Sequence, residues 1–158
     1  MFLSLKIRTF ADAICVAMKI HIVNGPNINL IGRREPGIYG SRDFDDYFLE
    51  LQSRYPRIEM AAWQSNVEGE IISRIQEVGF DCDGIIINAG AYTHTSIGIQ
   101  DAIRAVTAPV VEVHLSNVMQ REDYRHVSMI SPVCVGTVFG FGLDSYRLAV
   151  EALIERLG

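Results

Sequence analysis

Lysine, cysteine and long apolar runs are all scarce in this chain, and each scarcity excludes something. The longest uncharged stretches, near 84–100 and 126–143, are broken by Asn, His, Thr, Gly and Pro. They fall short of the roughly 20 apolar residues that a membrane-crossing helix needs, so no membrane partner is expected. The three cysteines (Cys15, Cys82, Cys134) are odd in number, far apart and without CxxC spacing. That argues against a disulfide framework and a structural zinc site. Each stands among apolar neighbours and reads as a small buried hydrophobe, which fits a reducing cytoplasmic setting. GxGxxG, GxxxxGKS/T, GxSxG and HExxH are all missing. Dinucleotide, P-loop, serine-hydrolase and zinc-protease chemistries therefore lose their main support, and no His/Asp/Glu cluster has metal-ligand spacing.

What is present is an ordinary globular balance. The 158 residues are 49% hydrophobic and 21% charged, enough for one domain with a sizeable core. Fourteen basic against 19 acidic side chains leave a net charge of −5. A field of that sign repels phosphate backbones, so no nucleic-acid partner is expected, although a local basic patch can still hold a small anion. Residues 1–17 carry Lys6, Arg8 and Asp12 through their apolar stretch and lack the clean core of a signal peptide. Leu3, Ile7, Phe10 and Ile14 can line one helical face, and Met18 reads as a second start. Residues 1–17 are therefore read as an N-terminal extension ahead of a single α/β domain over 18–158.

From Met18 the pattern alternates strand and helix. Strands are expected at Lys19–Val23, Arg57–Gln64, Gly84–Ile87, Pro109–His114 and Val133–Phe139. Helices are expected at Arg42–Tyr55, Val67–Val78, Ser96–Val106 and Leu143–Leu157, with Gly79 as the stop of the second. Gly84–Ile87 is continuously apolar, the mark of a strand covered on both faces. Such alternation predicts right-handed crossovers and a five-stranded parallel sheet in a flavodoxin-like three-layer sandwich, order 2-1-3-4-5.

Ligands in such sheets bind beyond the carboxyl ends of the strands. Three strands end in Asn24-Gly25-Pro26-Asn27, Asn88-Ala89-Gly90 and His114-Leu115-Ser116-Asn117. Asn27, Asn88 and His114 should converge on one cleft. Singly, each has a plainer explanation, since Asn suits turns and a lone strand-end His is usually structural. The loop Ile31–Ser41 adds Arg33 and Arg34 ahead of Tyr39. A guanidinium beside a phenol favours the phenolate, and lowering a tyrosine pKa by two units is worth about 2.7 kcal/mol. Such a tyrosine can act as a general base on a carbon acid. The same loop also reads as a solvated surface segment.

Arg121 and Arg125, four residues apart, would share one side of a helical turn and clamp an anionic or hydroxylated ligand. With Glu122 and Asp123 between them they also read as an exposed salt-bridged stretch. The two lysines are Lys6 in the extension and Lys19 at the far end of a strand from the cleft, which disfavours Schiff-base chemistry. A module that binds a small anion without chemistry would use the same fold and arginines, but leaves Tyr39 and His114 without a role.

Three segments, NGPNINLIGRREPGIYG, INAGAYTHTSIGIQDA and VEVHLSNVMQREDYRHVSMISPVCVGTVFGFG, resemble type II 3-dehydroquinate dehydratase in order and spacing. The resemblance runs from Lys19 to the C-terminus and leaves out residues 1–17. It implies a flavodoxin-like subunit and a lyase that converts 3-dehydroquinate to 3-dehydroshikimate through an enolate. That reaction serves the shikimate (or quinate) pathway and uses no cofactor or metal. It also implies a homo-oligomer, commonly a dodecamer of four trimers.

By the same resemblance Tyr39 is the base, and Arg34 holds it ionised. His114 is the acid that protonates the departing hydroxyl, Glu112 orients the His114 ring, and Asn27 positions a water against the enolate oxygen. Asn88 and the backbone N–H groups of Leu115 and Ser116 seat the substrate carboxylate. His94 and Arg125 take the ring hydroxyls, Arg121 closes over the site, and Asp101 reaches a neighbouring subunit.

Overall fold

A computed structural model of the chain describes residues 18–33 and 42–158. The 1–17 segment with its candidate helical face and Cys15, and residues 34–41 with Arg34 and Tyr39, lie outside the described residues.

Five parallel strands form the centre: β1 Met18–Asn24, β2 Ile58–Gln64, β3 Gly84–Asn88, β4 Val110–His114 and β5 Gly136–Phe139. They lie in the order β2-β1-β3-β4-β5, the expected flavodoxin-like arrangement. Among the described residues four α-helices flank the sheet: α1 Phe44–Arg54, α2 Glu68–Val78, α3 Ile97–Ala105 and α4 Asp144–Leu157.

Side-chain alternation along the strands makes the three layers. On β3, Ile86 joins Ile20, Ile22, Val111 and Val113 in a core with Leu51 of α1 and Ala149, Val150 and Leu153 of α4. Its neighbours Ile85 and Ile87 face the other way, against Ile71 and Ile75 of α2 and Ile99 and Ile103 of α3. All three β3 isoleucines are fully buried, each burial contributing roughly 1.5–3 kcal/mol.

Local signals place the helix ends. Asp43 caps α1 by accepting the Asp46 N–H at 2.9 Å, and Ser96 caps α3 by accepting the Ile99 N–H at 2.9 Å. Gly79 does end α2, as expected, and it does so without a left-handed conformation. Its φ is −72°, which any residue can adopt. A Cβ there would sit 2.5 Å from side-chain carbons of Val106, so the close approach of the α3 end demands glycine. The fifth strand is also shorter than expected: residues 131–133 form a 3₁₀ turn, and the Val133 and Cys134 N–H groups donate to the Ile130 carbonyl rather than to the ladder. Cys82 and Cys134 are half-buried rather than buried, packed at the margin of the second core.

Candidate active site

The carboxyl ends of β1, β3 and β4 meet around a cavity of about 150 Å³. Asn27, Asn88 and His114 all line it, as the strand-end pattern led us to expect, together with His94, Leu115, Ser116, Arg121 and Arg125. The β1 and β3 turns are locked together: the Gly25 N–H donates to the Asn88 carbonyl at 2.7 Å. A Cβ on Gly25 would lie 2.6 Å from the Ala89 carbonyl oxygen, so only glycine fits there. Asn27 follows in the left-handed region with φ 69°, a conformation asparagine tolerates, and its side chain does not cap the turn it opens.

His114 is the last residue of β4, and Glu112 precedes it by two, so both project from the same face of the strand. The His114 Nε2 donates to Glu112 Oε1 at 2.7 Å. Glu112 is fully buried. Burial pushes its carboxyl up, but hydrogen bonds from His114, Ser131 and Ser128 outweigh this and hold it below the ordinary carboxylate range.

His94 ends the 3₁₀ turn Gly90–His94, and its ring stacks on that of His114 with centroids 6.3 Å apart. The Val127 carbonyl, 2.7 Å away, requires Nδ1 of His94 to be the donor. In the neutral ring Nε2 is then the acceptor.

Asn88 is tied down at both ends of its amide. Oδ1 accepts the Gly90 N–H at 3.3 Å, and Nδ2 donates to the Tyr146 hydroxyl at 3.0 Å. That hydroxyl in turn donates to Asn24 Oδ1 at 2.7 Å. Tyr146, in the first turn of α4, is wholly buried, and burial pushes its phenol well above the usual tyrosine range. Nothing in the chain pattern announces this Asn24–Tyr146–Asn88 relay; the one cue is that Tyr146 falls on the buried stripe of α4.

The two arginines reach the cavity without sharing a helix. Arg121 follows the 3₁₀ turn Val118–Gln120, and Arg125 ends the turn Asp123–Arg125. Both of their Nε atoms approach Glu122 Oε2, at 3.5 Å for Arg121 and 2.9 Å for Arg125. Its own backbone N–H, then Arg125, hold the exposed Glu122 carboxyl down at about 2. The salt-bridged stretch and the cavity-lining clamp are thus the same segment. Arg121 Nη1 also donates to Ser116 Oγ at 3.4 Å. Asp101 does not line this cavity; it is exposed on α3, 3.5 Å from Arg104.

Fold and cavity together define a doubly wound α/β protein whose pocket at the strand ends is lined by a histidine backed by a buried carboxylate. Residues 18–154 match the family model described as dehydroquinase class II, and the chain belongs to that family. It is 54% identical over 139 residues to a 3-dehydroquinate dehydratase of an Exiguobacterium species, covering 87% of this chain and 95% of that one. A 3-dehydroquinate dehydratase of a Nitratiruptor species is 51% identical over 138 residues, covering 86% and 88%. Among solved structures, the type II dehydroquinase of Butyrivibrio crossotus superposes with a TM-score of 0.81 at 46% identity, covering 86% of this chain and 97% of that one. A 3-dehydroquinate dehydratase-like protein from Bifidobacterium longum gives 0.64 at 27% identity, covering 89% and 98%.

Proposed function

We propose that this chain dehydrates 3-dehydroquinate to 3-dehydroshikimate, with Tyr39 as base and His114 as acid. The observation that carries the reading is the Glu112–His114 pair, 2.7 Å apart at the edge of the polar cavity, in a member of the class II dehydroquinase family. A proton beside a ketone is weakly acidic and hydroxide is a poor leaving group, so the reaction needs a base, a stabilised enolate oxygen and an acid.

Tyr39, kept ionised by Arg34, takes the carbon-bound proton, and the electron pair passes to the ketone oxygen as an enolate. Asn27 holds a water against that oxygen. The enolate then collapses to the conjugated enone as the C–O bond breaks, and His114 gives its proton to the departing hydroxyl, which leaves as water. Glu112 fixes the His114 ring. Asn88 and the N–H groups of Leu115 and Ser116 seat the carboxylate, His94 and Arg125 bind the ring hydroxyls, and Arg121 closes the site. Both arginines already line the cavity, which supports an anionic, hydroxylated substrate.

The working form is a homo-oligomer, a dodecamer of four trimers in which exposed Asp101 reaches a neighbouring site, and it acts in the cytoplasm. Among the described residues no helix is long and apolar enough to cross a membrane. Purified protein mixed with 3-dehydroquinate should develop the ultraviolet absorbance of a conjugated enone. No signal from folded, assembled protein would remove the reading.

A further inference from the structure

A carboxylate with no exposed surface is costly unless its lone pairs are filled. The two oxygens of Glu112 offer about four acceptor sites, and four donors meet them. Oε1 accepts from the His114 ring at 2.7 Å and from the Ser128 hydroxyl at 2.9 Å. Oε2 accepts from the Ser131 hydroxyl and from Thr137 at 3.2 Å. The Ser128 oxygen is itself filled by the backbone N–H groups of Ile130 at 3.2 Å and Ser131 at 2.9 Å, so its hydrogen is committed to Glu112. Ser131 and Thr137 also touch each other, at 3.1 Å. These hydroxyls come from a loop, a 3₁₀ turn and the edge strand β5, and they converge on one carboxylate.

With its acceptor sites filled, Glu112 can take a proton only by giving up a donor. A buried Glu–His pair without such donors shares one proton between two sites. We propose that Ser128, Ser131 and Thr137 are positioning residues for the dehydration: they lock Glu112 as a fixed anion aimed at His114, so that the imidazole alone carries the transferable proton. This rests on the reading of His114 as the acid.

Among the described residues, the titratable groups that share the cavity wall with His114 are His94, stacked on it, Arg121 and Arg125. Behind the pair, the Cys134 thiol is pushed up to about 12 by burial and by the Glu112 charge. Substituting the hydroxyls leaves all of these in place. Losing a donor makes the buried net negative charge of the unprotonated pair less favourable, so the pair binds its proton more tightly and titrates at higher pH.

The test is an NMR titration of the full chain labelled at histidine nitrogen, following His114 in the parent, Ser131→Ala, Thr137→Val and Thr137→Ser. Ser131→Ala should move the transition to higher pH by about one unit, a tenfold gain in proton affinity. Thr137→Val should move it in the same direction and less, and Thr137→Ser, which keeps the hydroxyl, should follow the parent. An unmoved transition in folded Ser131→Ala and Thr137→Val overturns the proposal; should Ser131→Ala not fold, the two Thr137 variants decide it.

The pH profile of 3-dehydroquinate turnover separates the two readings. If the alkaline limb shifts with the NMR transition, the positioning role stands. If the parent turns over and the variants' limb does not move, that role is overturned. If the titration shifts but the parent never turns over, His114 is not the acid of this reaction, and the role of the hydroxyls in dehydration falls with it.

Discussion

Glu112 and His114 are partners because a β-strand repeats every two residues: from one face of β4 the His114 Nε2 meets the carboxylate at 2.7 Å, with Glu112 fully buried. The hydrogen bonds that hold the Glu112 carboxyl below its ordinary value of 4.5 are made only in the folded chain. A group depressed in this way stabilises the fold fully above its unfolded value, and the contribution is lost as pH falls through the folded one. Urea unfolding should therefore show stability declining below about pH 4.5 more steeply in the parent than in Glu112→Gln. Asp144, depressed by its hydrogen bonds from Arg147, contributes in the same window to both proteins and cancels in the difference. Identical pH profiles would show that Glu112 carries no such linkage.

Removing the phenolic oxygen of Tyr39 removes the proposed base. Tyr39→Phe should lower kcat by on the order of 10²–10⁴-fold while calorimetry still detects binding of a substrate analogue. Turnover at the parental rate would assign the base elsewhere.

Tyr146→Phe should cost stability without changing the core's shape. It strands Asn24 Oδ1 without its donor and Asn88 Nδ2 without its acceptor, both in buried surroundings. Among the described residues Asn24 Nδ2 has no hydrogen-bond partner either. An unsatisfied buried polar group costs about 1–3 kcal/mol, which denaturant titration reads as a lower midpoint at unchanged slope. A looser Asn88 should also raise KM. A variant as stable as the parent would mean that water or rearrangement replaces the hydroxyl.

Borohydride added during turnover should leave no covalent adduct. The chain has two lysines, and Lys19 sits at the amino end of β1, opposite the cavity, 3.9 Å from Glu59. Mass spectrometry detecting a reduced adduct on Lys6 or Lys19 would replace the enolate route by an imine.

Much of the fold is legible because β3 and its neighbours are short, apolar and separated by periodic helices, two of them with clear caps at Asp43 and Ser96, and because the parallel order follows from that alternation. The convergence of Asn27, Asn88 and His114 was legible for the same reason, since strand ends in a parallel sheet face one way. Elsewhere the chain pattern runs out. Gly79 reads as a helix stop, but the neighbour that demands glycine there, Val106, is 27 residues away in sequence. Ser128, Ser131 and Thr137 carry no periodic signal, and only the fold brings them to Glu112. The pairing of Tyr146 with two asparagines spans three elements and has no local signature. Helical spacing pairs Arg121 with Arg125, whereas two separate 3₁₀ turns and a shared Glu122 put them on the cavity wall.

The most direct measurement compares enone formation from 3-dehydroquinate by the parent and by His114→Gln, at matched concentration and with binding followed separately. Steady turnover is expected of the parent, and the variant should lose on the order of 10²–10⁴-fold in kcat with ligand still bound. Equal rates in the two proteins would contradict the role of His114 as the acid.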